Sequence, residues 1–548
     1  MKTNPLTNTH RSRSAFVALL TLTIVTAAPF AAHGGSQCSE LVGGLLRPLA
    51  LTQTQKGNFI VAESGTTTPN TARLSIVDLA GNRRTLVEGL PAGVNFETNS
   101  PSGPAGLLMR GRTLYVAIGV GNNVIAGPSM GTTRANPNPS SPLLSSILAF
   151  HFTGAVEQNT QGFTLTMAHQ QTLAAGTPVT LTNSAGESLR VEVLVNFPNT
   201  TPDPRPDFPE NVRNVNPFGL VAVGERLFVS DGGQNLVWRV DLAARTFDVL
   251  ARFPNIPNPQ FPGLGGPFLE AVPTGITYSQ GRLLVALFRG FPFPAGTGTI
   301  MQVDPVSGSF SSFIGNLKTS IDILAIRRDD DATAAIQHLV LQHASGPVLT
   351  PPGLLLRFVT PGGMPITEAS CFTAPSGMVL DSTTGRLYVT QLNGTIVTLN
   401  VNAEEAESDA GVAPVVRNLS TRGRVGIGEN VLIGGIIIGQ GTGGGAARVA
   451  VRVVGPSLAP RGVAVPLPDP LLTLHDANGT EIARNDNWKV GDNGQPSQQA
   501  ELEAAGLALV NDAESGLIAA LPAGEYTAIA RGKEGQSGVA LVEFFHLP

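Results

Sequence analysis

A chain of 548 residues exceeds what a single hydrophobic core organises, so two or three domains are expected. Charged residues make up only 14%, against 42% hydrophobic, with 63 Gly and 42 Pro, a balance that excludes a helical bundle and suits an all-β chain with many tight turns. A formal net charge of -5 without a basic stripe excludes nucleic acid as a partner.

The chain starts with a targeting signal. Lys2, Arg11 and Arg13 precede an apolar run over 15–28, and Ala32-His33-Gly34 offers a cleavage region. A signal peptide over 1–34 predicts export to an extracellular or periplasmic location, with no membrane span after cleavage. The two cysteines, Cys38 and Cys371, are compatible with a disulfide or with two buried thiols.

From residue 36 onward one pattern returns six times. Its clearest strand reads Phe59-Ile60-Val61-Ala62, Leu114-Tyr115-Val116-Ala117, Leu227-Phe228-Val229-Ser230, Leu283-Leu284-Val285-Ala286, His338-Leu339-Val340-Leu341 and Leu387-Tyr388-Val389-Thr390. Apolar, β-branched runs between Gly-rich turns mark strands buried on both faces. Ahead of each lies a strand of small residues, as in Pro104-Ala105-Gly106, Pro217-Phe218-Gly219, Pro273-Thr274-Gly275 and Pro375-Ser376-Gly377. Small residues suit the innermost strand, where repeats crowd an axis. Six four-stranded repeats predict a six-bladed β-propeller over 36–401.

The interval between the second and third repeats is doubled. It predicts an insertion at about 151–189, with an inserted hairpin formed by 163–167 and 179–182. The ring is expected to close through Glu40-Leu41-Val42 pairing with the third strand of the sixth blade, which removes an open sheet edge. Cys38 would then start that outer strand and Cys371 would precede the sixth inner strand; those starts point to opposite ends, which disfavours a bridge. An acidic, apolar-poor linker follows over 402–412. About eight short strands over 413–548 then predict a β-sandwich of the jelly-roll kind.

The propeller region resembles the ScyD/ScyE family, of NHL-like six-bladed type, over roughly residues 40 to 400. The residues that carry the resemblance are Gly57-Asn58-Phe59-Ile60-Val61-Ala62-Glu63, Asn216-Pro217-Phe218-Gly219-Leu220, Ala271-Val272-Pro273-Thr274 and Gly290-Phe291-Pro292-Phe293-Pro294-Ala295-Gly296. It implies an exported propeller of loosely defined activity. The C-terminal part is similar to a sandwich module that ends exported bacterial proteins, through Arg452-Val453-Val454-Gly455-Pro456-Ser457 and Leu521-Pro522-Ala523-Gly524-Glu525-Tyr526. Such a module implies an accessory binding role.

Propeller ligands meet the central channel and its mouths, so polar residues near inner strands are the candidates. These are Glu63, Asn216, Asp231, Glu270, Thr274 and Asp322. Ser320 belongs with them by position. Their oxygens suit a divalent cation in principle. Turn hydrogen bonding is the stronger account of Asp and Asn at blade corners. His338 and His343 have no ligand or triad spacing, and no nucleophile elbow is present, so no catalytic residue is assigned. In the sandwich Asp476, Asn478 and Asp486 are of types that suit calcium, although Asn478-Gly479 is first a hairpin turn. No other cofactor is expected.

Three functions compete. One is an exported binding or scaffolding protein using a propeller face as platform for a small molecule, glycan or protein. Another is a lactonase- or lyase-type enzyme at the channel, and the third is a structural cell-surface protein. Carboxylates and amides gathered around one point favour the enzyme.

Overall fold

The computed structural model describes residues 38–547 apart from 55, 130, 154–160, 329–334, 407–417, 429, 439–445, 493, 495 and 523. The expected signal peptide lies outside the described residues.

Six antiparallel sheets carry the repeats, each ordered from an inner strand outward. The inner strands are Pro48–Gln53, Pro104–Arg110, Pro217–Val223, Pro273–Ser279, Ser320–Arg328 and Pro375–Asp381. Each touches the next, and the sixth touches the first, so they ring an axis as a closed propeller. The second strands are the most enclosed. Phe59–Glu63 is buried throughout, as expected of a strand covered on both faces. Core clusters fill the six gaps between neighbouring blades; Phe59 and Val61 of blade 1, for instance, pack with Tyr388 and Ile396 of blade 6. Each such large side chain contributes on the order of 1.5–3 kcal/mol by leaving water.

The Pro-x-Gly pattern now has a geometric cause. A Cβ on Gly106 would stand 1.8 Å from the Phe218 carbonyl oxygen of blade 3, and one on Gly219 would stand 2.5 Å from that of Thr274 in blade 4. Gly377 approaches the Leu49 carbonyl of blade 1 in the same way, at 2.8 Å. Hydroxyls tie these strands laterally: Thr274 Oγ1 donates to the Ser320 carbonyl (3.1 Å), and Ser376 Oγ to the Pro48 carbonyl (2.8 Å).

The first strand, Ser39–Val42, pairs with Thr395–Asn400 as the outer strand of blade 6, through Ser39 with Thr398 and Val42 with Ile396. The expected closure is therefore present. Cys38 and Cys371 are bonded, with Cα atoms 6.3 Å apart, which corrects the expectation of opposed positions. Cys371 does precede the sixth inner strand, at Pro375–Asp381, but it lies within Ile366–Phe372, the outer strand of blade 5. The bond thus joins the outer strands of adjacent blades.

The insertion between blades 2 and 3 does not form the expected hairpin. Phe163–Thr164 pairs in parallel with Arg83–Leu90, the outer strand of blade 1. A helix over Met167–Ala174 follows, started by a Thr166 capping box, and Val179–Thr182 then extends blade 2 beside Ser188–Asn196. The physical reason is edge satisfaction: two short strands cover two open edges, and the helix between them seats Leu173 in the core between blades 1 and 2. The expected linker also begins as structure. Ala403–Glu405 pairs with Ile326–Arg328 at the end of the blade 5 inner strand, where free backbone groups were available; residues 407–412 are outside the described set.

Beyond residue 417 two four-stranded antiparallel sheets form a sandwich. One holds Asn418–Val425, Gly538–Leu547, Ala447–Val454 and Ser515–Leu521; the other holds Leu432–Ile438, Gly524–Gly532, Pro470–His475 and Glu481–Asn485. Val449, Val451 and Val453 face Leu472, Leu474 and Ala528 in its core. Their period of two places Ala450 on the opposite face, under a short helix over Gln499–Ala504 with Trp488 and Leu502.

Candidate functional site

All inner strands begin on one face of the propeller, called the upper face below. There the residue before each inner strand accepts a backbone hydrogen bond from the residue after the second strand. The pairs are Ser64 to Arg47, Gly119 to Gly103, Gly232 to Asn216, Phe288 to Val272, His343 to Thr319 and Leu392 to Ala374, at 2.8–3.2 Å. These twelve residues frame the channel mouth. Arg47, Val272, Thr319 and Ala374 adopt φ of 56°, 51°, 45° and 52°. Such values strain a β-branched residue, and they hold only where surrounding structure dictates them.

The candidates read from the sequence fall mainly into this frame. Glu63 is fully buried and accepts from Arg73 at 2.8 and 2.9 Å, from Ser75 Oγ and from the Leu46 amide. Asp231 holds the equivalent place in blade 3, accepting from the Asn216 and Gln234 amides (both 2.9 Å) and from Trp238 Nε1 (2.8 Å). Burial nevertheless raises its carboxyl. Gln391 in blade 6 repeats the device by accepting from the Thr373 amide. These side chains clamp the loop that enters an inner strand. Asn216 Oδ1 accepts from the Val120 amide of the neighbouring blade, at 3.0 Å. Thr274 links inner strands, as described above.

Asp322 takes the place that Gly occupies in four inner strands. Its oxygens accept from the Ile323 amide (2.9 Å) and, across the blade gap, from Met378 (3.0 Å). Burial without a cationic partner raises its carboxyl to about 7. The structure does not bring Glu63, Asp231 and Asp322 to one shared partner: the first two are consumed by their own blades, and Asp322 by amides of blades 5 and 6.

A different cluster forms above the mouth. Glu270 pairs with Arg213 at 2.7 Å, and Asn214 Nδ2 donates to Glu97 at 3.0 Å. Glu97 comes from the loop between blades 1 and 2, Arg213 and Asn214 from the entry to blade 3, and Glu270 from the entry to blade 4. Desolvation by these loops raises the Glu97 carboxyl, with the Glu270 charge adding to the effect. Around the cluster stand exposed apolar side chains: Phe96 (47% exposed), Phe261, Leu264, Phe268 (61%) and Phe291. Phe268 and Glu270 flank buried Leu269, so alternation places both outward. The loops touch, since a Cβ on Gly265 would meet Pro292 and one on Gly290 would meet Glu270. Of these residues only Glu270 is a candidate from the sequence, and Phe291 stands there only within the resemblance motif. The available signal was loop length: the connections entering blades 2, 3 and 4 are the longest of the six that lead into inner strands.

The sandwich candidates do not converge either. Asp476 Oδ1 accepts from the Asn478 and Thr480 amides at 2.9 and 2.8 Å, which closes the hairpin turn at Gly479 (φ 78°). Asp486 lies at the other end of that hairpin, where the Lys533 ammonium is 2.6 Å away and also 3.8 Å from Asp469. A lysine thus supplies the positive charge there. Among the described residues, no three His, Cys, Asp or Glu side chains are grouped to hold a metal ion. No helix among them is long and apolar enough to cross a membrane.

No protein-family model matches the chain, and no curated protein does. Solved structures with propeller-type similarity include virginiamycin B lyase from Staphylococcus aureus, 12% identical over 67% of this chain and 98% of that one, with a TM-score of 0.34. The nidogen/laminin complex is 11% identical over 62% and 98%, with a TM-score of 0.29. The all-β propeller assignment stands on the sheet order and ring contacts of this chain itself.

Proposed function

We propose that this chain is an exported binding protein whose ligand platform is the upper face of the propeller. The observation that carries this reading is the juxtaposition above the mouth. Glu97, Asn214, Arg213 and Glu270 come together from three inter-blade loops, beside Phe96, Phe268 and Phe291, which are exposed. Exposed aromatics beside fixed polar groups supply contact area with little side-chain entropy to lose, which suits a recognition surface. The resemblance to the exported ScyD/ScyE propellers agrees with it, and the sandwich serves as an accessory module.

The test is binding of the purified chain to glycan and peptide arrays, beside an F96A/F268A/F291A variant. Retained fold with at least tenfold weaker array binding is the expected result. Equal binding by the variant overturns the platform. One observation favours the enzyme instead: Glu97 is a raised carboxyl beside a second carboxylate, as general acids are. Turnover of a lactone panel that is lost in Glu97→Gln would support it.

A further inference from the structure

Three cations also stand at the mouth, and one of them, Arg289, lies beside Glu270 of the acidic cluster, its amide bonding the Ala271 carbonyl. Arg47 in blade 1, Arg289 in blade 4 and Lys318 in blade 5 each lie at, or one residue from, the twelve framing positions. None has a carboxylate partner among the described residues, and burial alone lowers each of them. Lys318 is bound to the Ser345 and Gly346 carbonyls and Arg289 Nε to the Thr297 carbonyl (3.0 Å), so those two also hold loops. Arg47 makes no such bond among the described residues. Its Nε is buried with no hydrogen-bond partner, and so is the hydroxyl of Ser64, whose amide bonds the Arg47 carbonyl.

Burial lowers His343, on blade 5, and the Arg47 charge adds a smaller effect in the same direction. His343 is 8% exposed, bonds the Pro375 carbonyl of blade 6 through Nδ1 at 2.8 Å, and packs its ring 5.5 Å from that of Phe288. A desolvated, unpaired guanidinium is costly in a folded protein unless a ligand completes it. Its planar fork fits two oxygens of one oxyanion.

We propose that the blade 1 entrance of the channel mouth is an oxyanion site, in which Arg47, with the Ser64 hydroxyl behind it, receives the carboxylate, phosphate or sulfate of a ligand seated on the upper face. The proposal rests on the platform reading and names the chemistry of one end of its ligand.

The probes are inorganic phosphate, sulfate and galacturonate, titrated by calorimetry against the purified chain with sodium chloride as control. At least one should bind with a dissociation constant below 10 mM, on the order expected of a single charged contact, and the strongest identifies the group. Arg47→Gln should weaken that binding tenfold or more, Arg47→Lys less, with unfolding temperatures of both variants close to the parent. The bound probe should also shield Arg47 from phenylglyoxal labelling read by mass spectrometry. Equal affinity in Arg47→Gln overturns the site, as does failure of all three probes to bind or to shield Arg47. Failure here with array binding intact removes only this site, whereas loss of array binding in the phenylalanine variant bears on the platform.

Discussion

His338 and Asp322, both in blade 5, give the protein two opposing pH dependences. His338 is buried beside Phe313, neither ring nitrogen has a hydrogen-bond partner, and desolvation lowers it to about 4. Its unfolded value is near 6.5, so the unfolded chain binds the extra proton between those limits. Stability is present above pH 6.5 and lost as pH falls toward 4, by about 3 kcal/mol. Asp322 acts the other way. Raised from 3.8 to about 7, it holds its proton in the folded state, and that contribution is present below pH 4 and lost as pH rises through 7, again by about 3–4 kcal/mol. The two slopes offset one another between pH 4 and 6.5 in the parent. Urea titrations across pH 4–8 should therefore show stability falling with pH in His338→Phe and rising with pH in Asp322→Asn. Parallel profiles for parent and both variants would refute the assignment. The sequence displayed these residues but not their roles, since protonation depends on burial that only blade packing creates.

At the scale of elements, the inner strands set how closely blades approach. Gly106→Ala forces a methyl group against the Phe218 carbonyl, so neighbouring blades must part; the expected cost is about 3 kcal/mol or more. Gly224→Ala is the contrast. Gly224 has φ 59° but nothing within 4 Å, so only backbone strain of about 1 kcal/mol is expected. Denaturation midpoints that move equally for both would show that inter-blade contact is not what selects glycine. The Pro-x-Gly recurrence was legible because one physical demand repeats around a ring. The insertion was not. Phe163–Thr164 and Val179–Thr182 have strand-like residues, and nothing in their order states that they serve two different blades.

For the whole molecule, closure rests on one strand and one covalent bond. Ser39–Val42 completes blade 6 by hydrogen bonding, and Cys38–Cys371 spans 333 residues of sequence. A loop of that length stabilises by about 6 kcal/mol in the chain-entropy picture, with measured values more often about 2–4. Cys371→Ser, or the parent in reducing agent, should therefore lose several kcal/mol in urea denaturation. A midpoint indifferent to reductant would mean that the strand alone carries closure.

Much of this architecture follows from local chemistry that the chain repeats. Six apolar strands between Gly-rich turns, six small-residue strands ahead of them and an N-terminal strand without a blade of its own determine a closed propeller, because period-two burial and edge pairing leave few alternatives. The change of pattern after residue 412 likewise determines a second all-β region. The binding face was decided by tertiary structure. Glu97, Asn214 and Glu270 come from separate inter-blade loops, which share one mouth only because the ring brings their blades around one axis. Sequence proximity governs which residues form a strand, whereas the closure of the ring governs which loops share a mouth. The same closure turned Glu63 and Asp231 from candidate ligands into clamps, since the backbone donors they satisfy exist only where each inner strand begins.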